Sequence, residues 1–351
     1  MTKALVVGLG SMGKRRIRNL KHLGVHDISG YDIREDRRDY AANTYGIRAL
    51  DAFDWEVVSE YDCVLICTPP DLHMRGAIEC AKRGKHFFTE LNFVRKDMDK
   101  LLAILDSSDR DFVAAPSCTL RYHPCVAKMK EMLGAEPLGK PLCFIHHFGE
   151  YLPYWHPWES IEDFYVGKRE TGGARDIVSF EFEFLTWLFG EPVDVRGFGS
   201  GTGLLGVDID DNFEFVARFS SGVAGSVLVD VLQRKPNRYF RVVAEHGTVI
   251  WNDWARQRLH LIYEVSPGQS VDTSTEASYH EEEIDLSGDE TGWAGSEFEK
   301  IDFSTIMYIH EMEAFLKAVR GQAIYPKSFH DDARTVNALY RLDADHGDSE
   351  R

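Results

Sequence analysis

Residues 1–120 alternate short apolar strands with helices, whereas residues 121–351 offer several strand-like runs with few helices between them. The first rhythm predicts a doubly wound parallel sheet; the second predicts an α+β domain with a largely antiparallel open sheet. A chain of 351 residues has room for two such cores.

The elements follow in order. Lys3 to Val7 is an apolar run that enters Gly8-Leu9-Gly10-Ser11-Met12-Gly13, after which Ile17, Leu20 and Leu23 recur at helical spacing. Strand, glycine loop and helix in that order suit a dinucleotide: Gly8 permits the tight turn, Gly10 admits the pyrophosphate, and Gly13 lets helix and strand pack closely. The first helical amides, Ser11 and Met12 among them, then face the phosphates. A second strand, Asp27 to Tyr31, ends at Asp32, near the position of an acid that binds ribose hydroxyls, which favours NAD over NADP. Arg34, Arg37 and Arg38 keep a 2'-phosphate open as the alternative. Lys14, Arg15 and Arg16 read as a solvated helix face.

Cys63 to Cys67 reads as a buried strand ended by Thr68-Pro69-Pro70, with Asp71 as the cap of a helix carrying Met74, Ala77, Ile78 and Ala81. Lys85 to Phe88 forms the next strand, Met98 to Leu105 the next helix, and Phe112 to Ala115 closes the sheet. Beyond Ser117 come a helix from Pro124 to Leu133 and strands at Leu142–Phe148, Phe213–Phe219, Val223–Val231 and Tyr239–Ala244. His280 to Glu290 reads as an exposed loop or edge. The stripe Tyr308, Met312, Phe315, Leu316 and Val319 belongs to a core-packed helix.

Composition excludes several classes. A net charge of -17 argues against nucleic acid and anionic membranes as partners. No run approaches the roughly 18 apolar residues of a membrane span and no signal peptide precedes the first strand, so a cytoplasmic location is expected. The six cysteines show neither a Cys-x-x-Cys pair nor zinc-like spacing and read as reduced structural thiols. His146 and His147, adjacent in a strand, face opposite ways, so no metal site is expected. No nucleophile elbow points to a hydrolase.

The motif order resembles the glucose-fructose oxidoreductase and inositol dehydrogenase family, Gfo/Idh/MocA, along essentially the whole chain. The glycine loop, Thr68-Pro69-Pro70-Asp71-Leu72-His73, Arg121-Tyr122-His123-Pro124, Gly172-Gly173 leading to Asp176, Trp187-Leu188-Phe189-Gly190 and the Tyr308-x-x-Glu311 helix carry the likeness. The resemblance implies NAD(P)-dependent oxidation or reduction of a sugar, cyclitol or related polyol. It also implies a homodimer or homotetramer joined through the second-domain sheet, and cofactor contacts from Thr68, Pro69, His73, Glu90 and Asn92. The Tyr151 to Trp158 segment looks like members that modify sugars of surface polysaccharides.

Two departures bear on chemistry. The family's Glu-Lys-Pro reads Glu90-Leu91-Asn92 here, and its Asp, His, Asp stripe reads Asp176, Phe180, Glu183, so both usual proton-handling groups are apolar. Candidate replacements are Asp176, Glu183, His123, Tyr165 and Lys168. The bland alternatives are a helix cap for Asp176, a turn partner for His123 and a solvated charge for Lys168. Three functions stay open: a sugar-linked oxidoreductase, a catalytically degenerate NAD(H) sensor or partner subunit, and a net redox-neutral step run through bound dinucleotide.

Overall fold

The computed structural model describes residues 2–157, 159–252, 257–264, 279–287 and 303–344. Its contacts divide the chain into two units, Met1–Thr119 with Ser304–Asn337 and Leu120–Phe303 with Ala338–Arg351. The late helical segment Ser304–Asn337 folds with the first unit.

In the first unit the chain runs β1 (Lys3–Val7), α1 (Ser11–His22), β2 (Asp27–Tyr31), α2 (Glu35–Tyr45), β3 (Arg48–Ala49), β4 (Cys63–Ile66), α3 (His73–Lys82), β5 (His86–Thr89), α4 (Met98–Ser107) and β6 (Ala114–Pro116). All strands pair parallel in the order β3-β2-β1-β4-β5-β6. Ala4 to Val7 and all of β4 are buried, as central parallel strands covered on both faces must be. Sequence reading passed over α2 and β3; α2 buries only Ala41 and Tyr45, so it carries no apolar stripe to find. Asp71 caps nothing: a short 3-10 turn over Pro70–Leu72 leads into α3, whose N-cap is Leu72 without a side-chain bond.

The second unit runs α5 (Pro124–Met132), β7 (Pro141–Tyr151), α6 (Ala174–Phe189), β8 (Pro192–Ser200), β9 (Asn212–Phe219), β10 (Ala224–Asp230), β11 (Leu232–Ala244), β12 (Gly247–Trp251), β13 (Arg258–Glu264) and β14 (Tyr279–Asp285). Its sheet has the order β14-β13-β12-β11-β7-β10-β9-β8, antiparallel except for β7 and β10. The acidic stretch forms the edge strand β14, while 288–290 lie outside the described residues. On β9 buried Phe213, Phe215, Ala217 and Phe219 alternate with exposed Glu214, Val216 and Arg218, so one face is covered and the other is open. All six cysteines are free thiols; five are buried and Cys143 is exposed.

The covered face is anchored to α6 by ionic as well as apolar contact. Glu181 accepts two hydrogen bonds from Arg238 at 2.6 and 2.7 Å, and its Oε2 lies 2.6 Å from His146 Nε2. His147, one residue on, instead meets Asp230 at 3.1 Å, as the alternation of a strand requires.

Two further helices, α7 (Phe303–Val319) and α8 (Phe329–Ala344), follow. In the first unit Phe315 packs on Phe88 of β5 with ring centroids 5.7 Å apart, and Phe329 on Phe87 at 5.6 Å. Arg16 of α1 is fully buried, which overturns its reading as a solvated charge. It donates to both oxygens of Glu90 at 2.6 and 2.8 Å and lies 2.8 Å from Glu311 of α7, so three elements meet at one guanidinium. Glu311 is further satisfied by the Ser117 and Thr119 hydroxyls and the Cys118 amide. Arg16→Met leaves two buried carboxylates without their cation and should destabilise the protein by about 3–5 kcal/mol. Urea denaturation checks this; an unchanged midpoint would show the cluster to be energetically idle.

Candidate functional site

The glycine loop joins β1 to α1 where sterics leave little choice. Gly8 has φ +94°, and a methyl group on it would sit 2.5 Å from the Cys67 carbonyl; one on Gly13 would sit 1.9 Å from the Gly8 carbonyl. Both positions are required by the protein's own packing. Gly10 is different: its φ of -69° suits any residue, and a methyl there would meet nothing nearer than Arg37 Nη1 at 3.6 Å. Ser11 and Met12 open α1 just beyond it, with the first-turn amides of a helix that has no acidic residue in that turn.

Asp32 stands at the tip of β2 beside this loop. Its Oδ2 accepts the Leu9 amide at 2.8 Å and its Oδ1 the Arg34 amide at 2.9 Å, while Arg37 Nη1 lies 3.7 Å away. Arg34 pairs with Asp36, and Arg38 donates to the Asp32 carbonyl. Across the loop, Thr68 Oγ1 at the end of β4 is buried without a hydrogen-bond partner. A loop bare at Gly10, free helical amides, a fixed carboxylate and an orphaned hydroxyl together fit a dinucleotide.

The remaining expected cofactor residues are engaged inside the first unit. His73 bridges the Thr68 carbonyl (2.8 Å) and Asn92 Oδ1 (3.0 Å), and burial pushes its pKa down. The Asn92 amide donates to Thr89 and to Asp332, which in turn holds the buried Lys327 ammonium at 2.6 Å. Glu90 gives both oxygens to Arg16. Leu91 between them is buried at 6% exposure, and Pro69 is exposed.

In the second unit the candidates separate. Asp176, in the first turn of α6, accepts a hydrogen bond from the Tyr165 hydroxyl at 3.0 Å; burial pushes its carboxyl up to about 7 against that bond. Glu183 is held by Arg121 at 2.6 Å, with the guanidinium over the Trp187 ring. His123 caps α5 by accepting the Cys125 amide and packs on Trp251 with centroids 4.5 Å apart; burial, with Arg238, lowers its pKa to about 3. Lys168 is exposed, the solvated charge of the bland reading. Of the five, Tyr165 and Asp176 are brought together by a hydrogen bond.

One half-buried acidic group escaped sequence reading. Glu150, near the end of β7, has its carboxyl raised to about 7 by burial, opposed by Arg238 and reinforced by Asp176. The signal was strand parity: Phe144, His146 and Phe148 are buried, so 150 shares their face.

Two family models match, an NAD-binding Rossmann fold of the oxidoreductase family over residues 2–113 and the GFO/IDH/MocA C-terminal domain over 126–250. The chain belongs to the Gfo/Idh/MocA oxidoreductases. Among curated proteins it is similar to levoglucosan dehydrogenase of Pseudarthrobacter phenanthrenivorans, at 25% identity over 240 residues, 60% of this chain and 61% of the relative. It thus spans about three fifths of that relative's length. Two solved structures share the fold. Levoglucosan dehydrogenase in complex with NADH and levoglucosan superposes with TM-score 0.77 at 18% identity, covering 98% of this chain and 97% of that one. UDP-N-acetylglucosamine 3-dehydrogenase from Acidithiobacillus ferrooxidans superposes with TM-score 0.72, at the same identity and coverage of both chains. Among the described residues no helix is long and apolar enough to cross a membrane.

The Gfo/Idh/MocA glycine loop offers a clean separation of packing from binding. Gly10→Ala should leave stability within about 0.5 kcal/mol of the parent, as a substitution without a steric partner does, yet weaken NADH by tenfold or more. Thermal melting and calorimetric titration check the pair; unaltered NADH affinity would remove the loop from the binding site.

Proposed function

We propose that this Gfo/Idh/MocA member is an NAD-linked dehydrogenase of a neutral sugar or other polyol, with Asp176 accepting the proton of the reacting hydroxyl. The observation that carries the reading is the Asp176 carboxyl itself: buried, without an ion-pair partner among the described residues, oriented by Tyr165 and poised at about 7. A general base works best when its pKa lies near the operating pH. NAD is favoured over NADP because the Asp32 carboxylate, fixed by two backbone amides, suits ribose hydroxyls and repels a 2'-phosphate.

The dinucleotide supplies the acceptor for the hydride that leaves the carbinol carbon. The protein does the rest. The amides of α1 and the bare Gly10 backbone bind the pyrophosphate, and Asp32 holds the ribose. Asp176 takes the hydroxyl proton as the carbon–oxygen double bond forms, and the Tyr165 hydroxyl aims the carboxyl and returns charge to it. This reading gives Lys168 and His123 no proton to move: Lys168 is exposed, and burial lowers the pKa of the His123 cap to about 3. We place a second copy of the chain on the open sheet face, where Ile145, Phe198 and Val216 are 51%, 48% and 53% exposed; a monomer by light scattering at micromolar concentration contradicts this.

A second reading has its own observation. Where the family resemblance expects a lysine, Leu91 is buried and apolar, as in a binding protein that has lost catalysis. Turnover decides between them: the oxidoreductase reading predicts NAD-dependent oxidation within a panel of levoglucosan, inositols, hexoses and nucleotide sugars. NADH binding without any turnover favours the sensor.

Asp176→Asn should lower that turnover by roughly 100-fold or more while leaving NADH affinity nearly intact. It also has a signature in stability. The native carboxyl keeps its proton up to about 7, whereas the unfolded one releases it near 3.8. Wild-type stability therefore falls as pH rises through this window, and the variant should gain on wild type between pH 4 and pH 8. Melting curves that shift in parallel at both pH values would contradict the buried, protonated carboxyl.

A further inference from the structure

The packing of β7 on α6 sets up a juxtaposition that the sequence motifs do not reveal. The two elements run in opposite directions: Phe144 stacks on Phe189 with centroids 5.2 Å apart, and His146 meets Phe184 at 5.6 Å and Glu181 at 2.6 Å. Continuing along the same strand face brings Glu150 opposite the first turn of the helix, where Asp176 lies. A strand advances about 3.3 Å per residue and a helix about 1.5 Å, so four strand residues match roughly nine helical ones.

We propose that Glu150 is a positioning residue that acts through Asp176, the half-buried carboxyl of the one facing the buried carboxyl of the other and the two sharing a single proton. This rests on the dehydrogenase reading for its catalytic meaning, but the pairing is a property of the fold.

The charges around the pair leave it little else to do. Toward Glu150 face Asp176 and Glu181 from α6, Arg238 from β11 and the indole of Trp155; toward Asp176 faces the Tyr165 hydroxyl. Arg238 is committed to Glu181 through two short hydrogen bonds, so that pair is internally neutral. Among the described residues neither Glu150 nor Asp176 has an ion-pair partner of its own. The Trp155 Nε1–H beside Glu150 is buried and makes no hydrogen bond of ordinary length. Two like charges in such a place cannot both persist, and one proton between them relieves the repulsion.

The consequence for the reaction is electrostatic. With the shared proton on Glu150, Asp176 is ionised and free to accept the substrate's proton. The hydroxyl O–H bond breaks toward Asp176 as the C–H bond gives its electron pair to the dinucleotide, and the carbonyl forms. Both carboxyls are then neutral until one proton passes to solvent. An anionic group on the substrate near this pair would add a second negative charge, which limits the reacting end to neutral hydroxyls.

The test needs no substrate. Full-length protein labelled with carbon-13 at the Asp and Glu side-chain carboxyls is titrated by NMR as wild type, Glu150→Gln, Glu150→Asp and Asp176→Asn, each first shown folded by its amide spectrum. Asp176→Asn assigns the Asp176 signal. In Glu150→Gln the Asp176 midpoint should fall by about one pH unit, the coupling expected of a strongly interacting pair, and Glu150→Asp should restore most of it. Reciprocally, the Glu150 midpoint should fall in Asp176→Asn, so the pairing is tested even if Glu150→Gln fails to fold. A midpoint that ignores its partner's removal overturns the proposal, since a merely structural role would alter stability without moving it. Where a polyol from the panel is turned over, the acid limb of kcat/KM should move with Glu150→Gln in the same direction. Absence of turnover with coupled titrations would sink the dehydrogenase reading and leave the pairing standing.

Discussion

The Arg16 guanidinium has no exposed surface, and around it stand Glu90 at the end of β5, Glu311 of α7 and the rings of Phe88 and Tyr308. Burial alone would push the pKa of such a group down; the two carboxylates hold it well above the ordinary arginine range. A buried cation of this kind is costly unless both partners stay in place, so α1, β5 and α7 are bound to one geometry. Because α1 also carries the free amides after the glycine loop, the same constraint fixes the anion-binding end of the helix against the sheet. Recruitment of α7 into the first unit follows from the same charge.

Helix α6 shows what a partner decides. Glu181 and Asp176 both lie buried on it, five residues apart, and burial pushes both toward the neutral acid. Arg238 and His146 overcome that push and bring Glu181 down to about 2, whereas Tyr165 offers Asp176 one neutral hydrogen bond and its carboxyl stays at about 7. The first is locked as a structural anion. The second keeps its proton up to about 7, and the difference between the two lies in their partners.

Much of this was legible in sequence where a short-range rule applied. The glycine loop, the strands Lys3–Val7 and Asp27–Tyr31 and the Gly172-Gly173 entry to α6 depend on local sterics and periodicity, and all recur in the fold. Helix α2 was missed because its buried face is two residues, and β12 because only Val249 and Trp251 of its five residues are buried. Charge partners were the least legible. Arg16 sits among basic residues and reads as solvated until Glu90, 74 positions away, and Glu311, still further, are brought to it. Asp176 was found through its motif, but whether it is paired like Glu183 or unpaired depends on Arg121 and Tyr165, which reach α6 only through tertiary folding.

The central claim is that a buried carboxylate of the second unit handles the proton that a lysine would otherwise take. A crystal structure of the ternary complex with NADH and a bound polyol tests it most directly. The account predicts an Asp176 oxygen within hydrogen-bond reach of the reacting hydroxyl, about 2.6–3.2 Å. A polyol whose reacting hydroxyl is met by another side chain, with Asp176 bonded only to Tyr165, would contradict it.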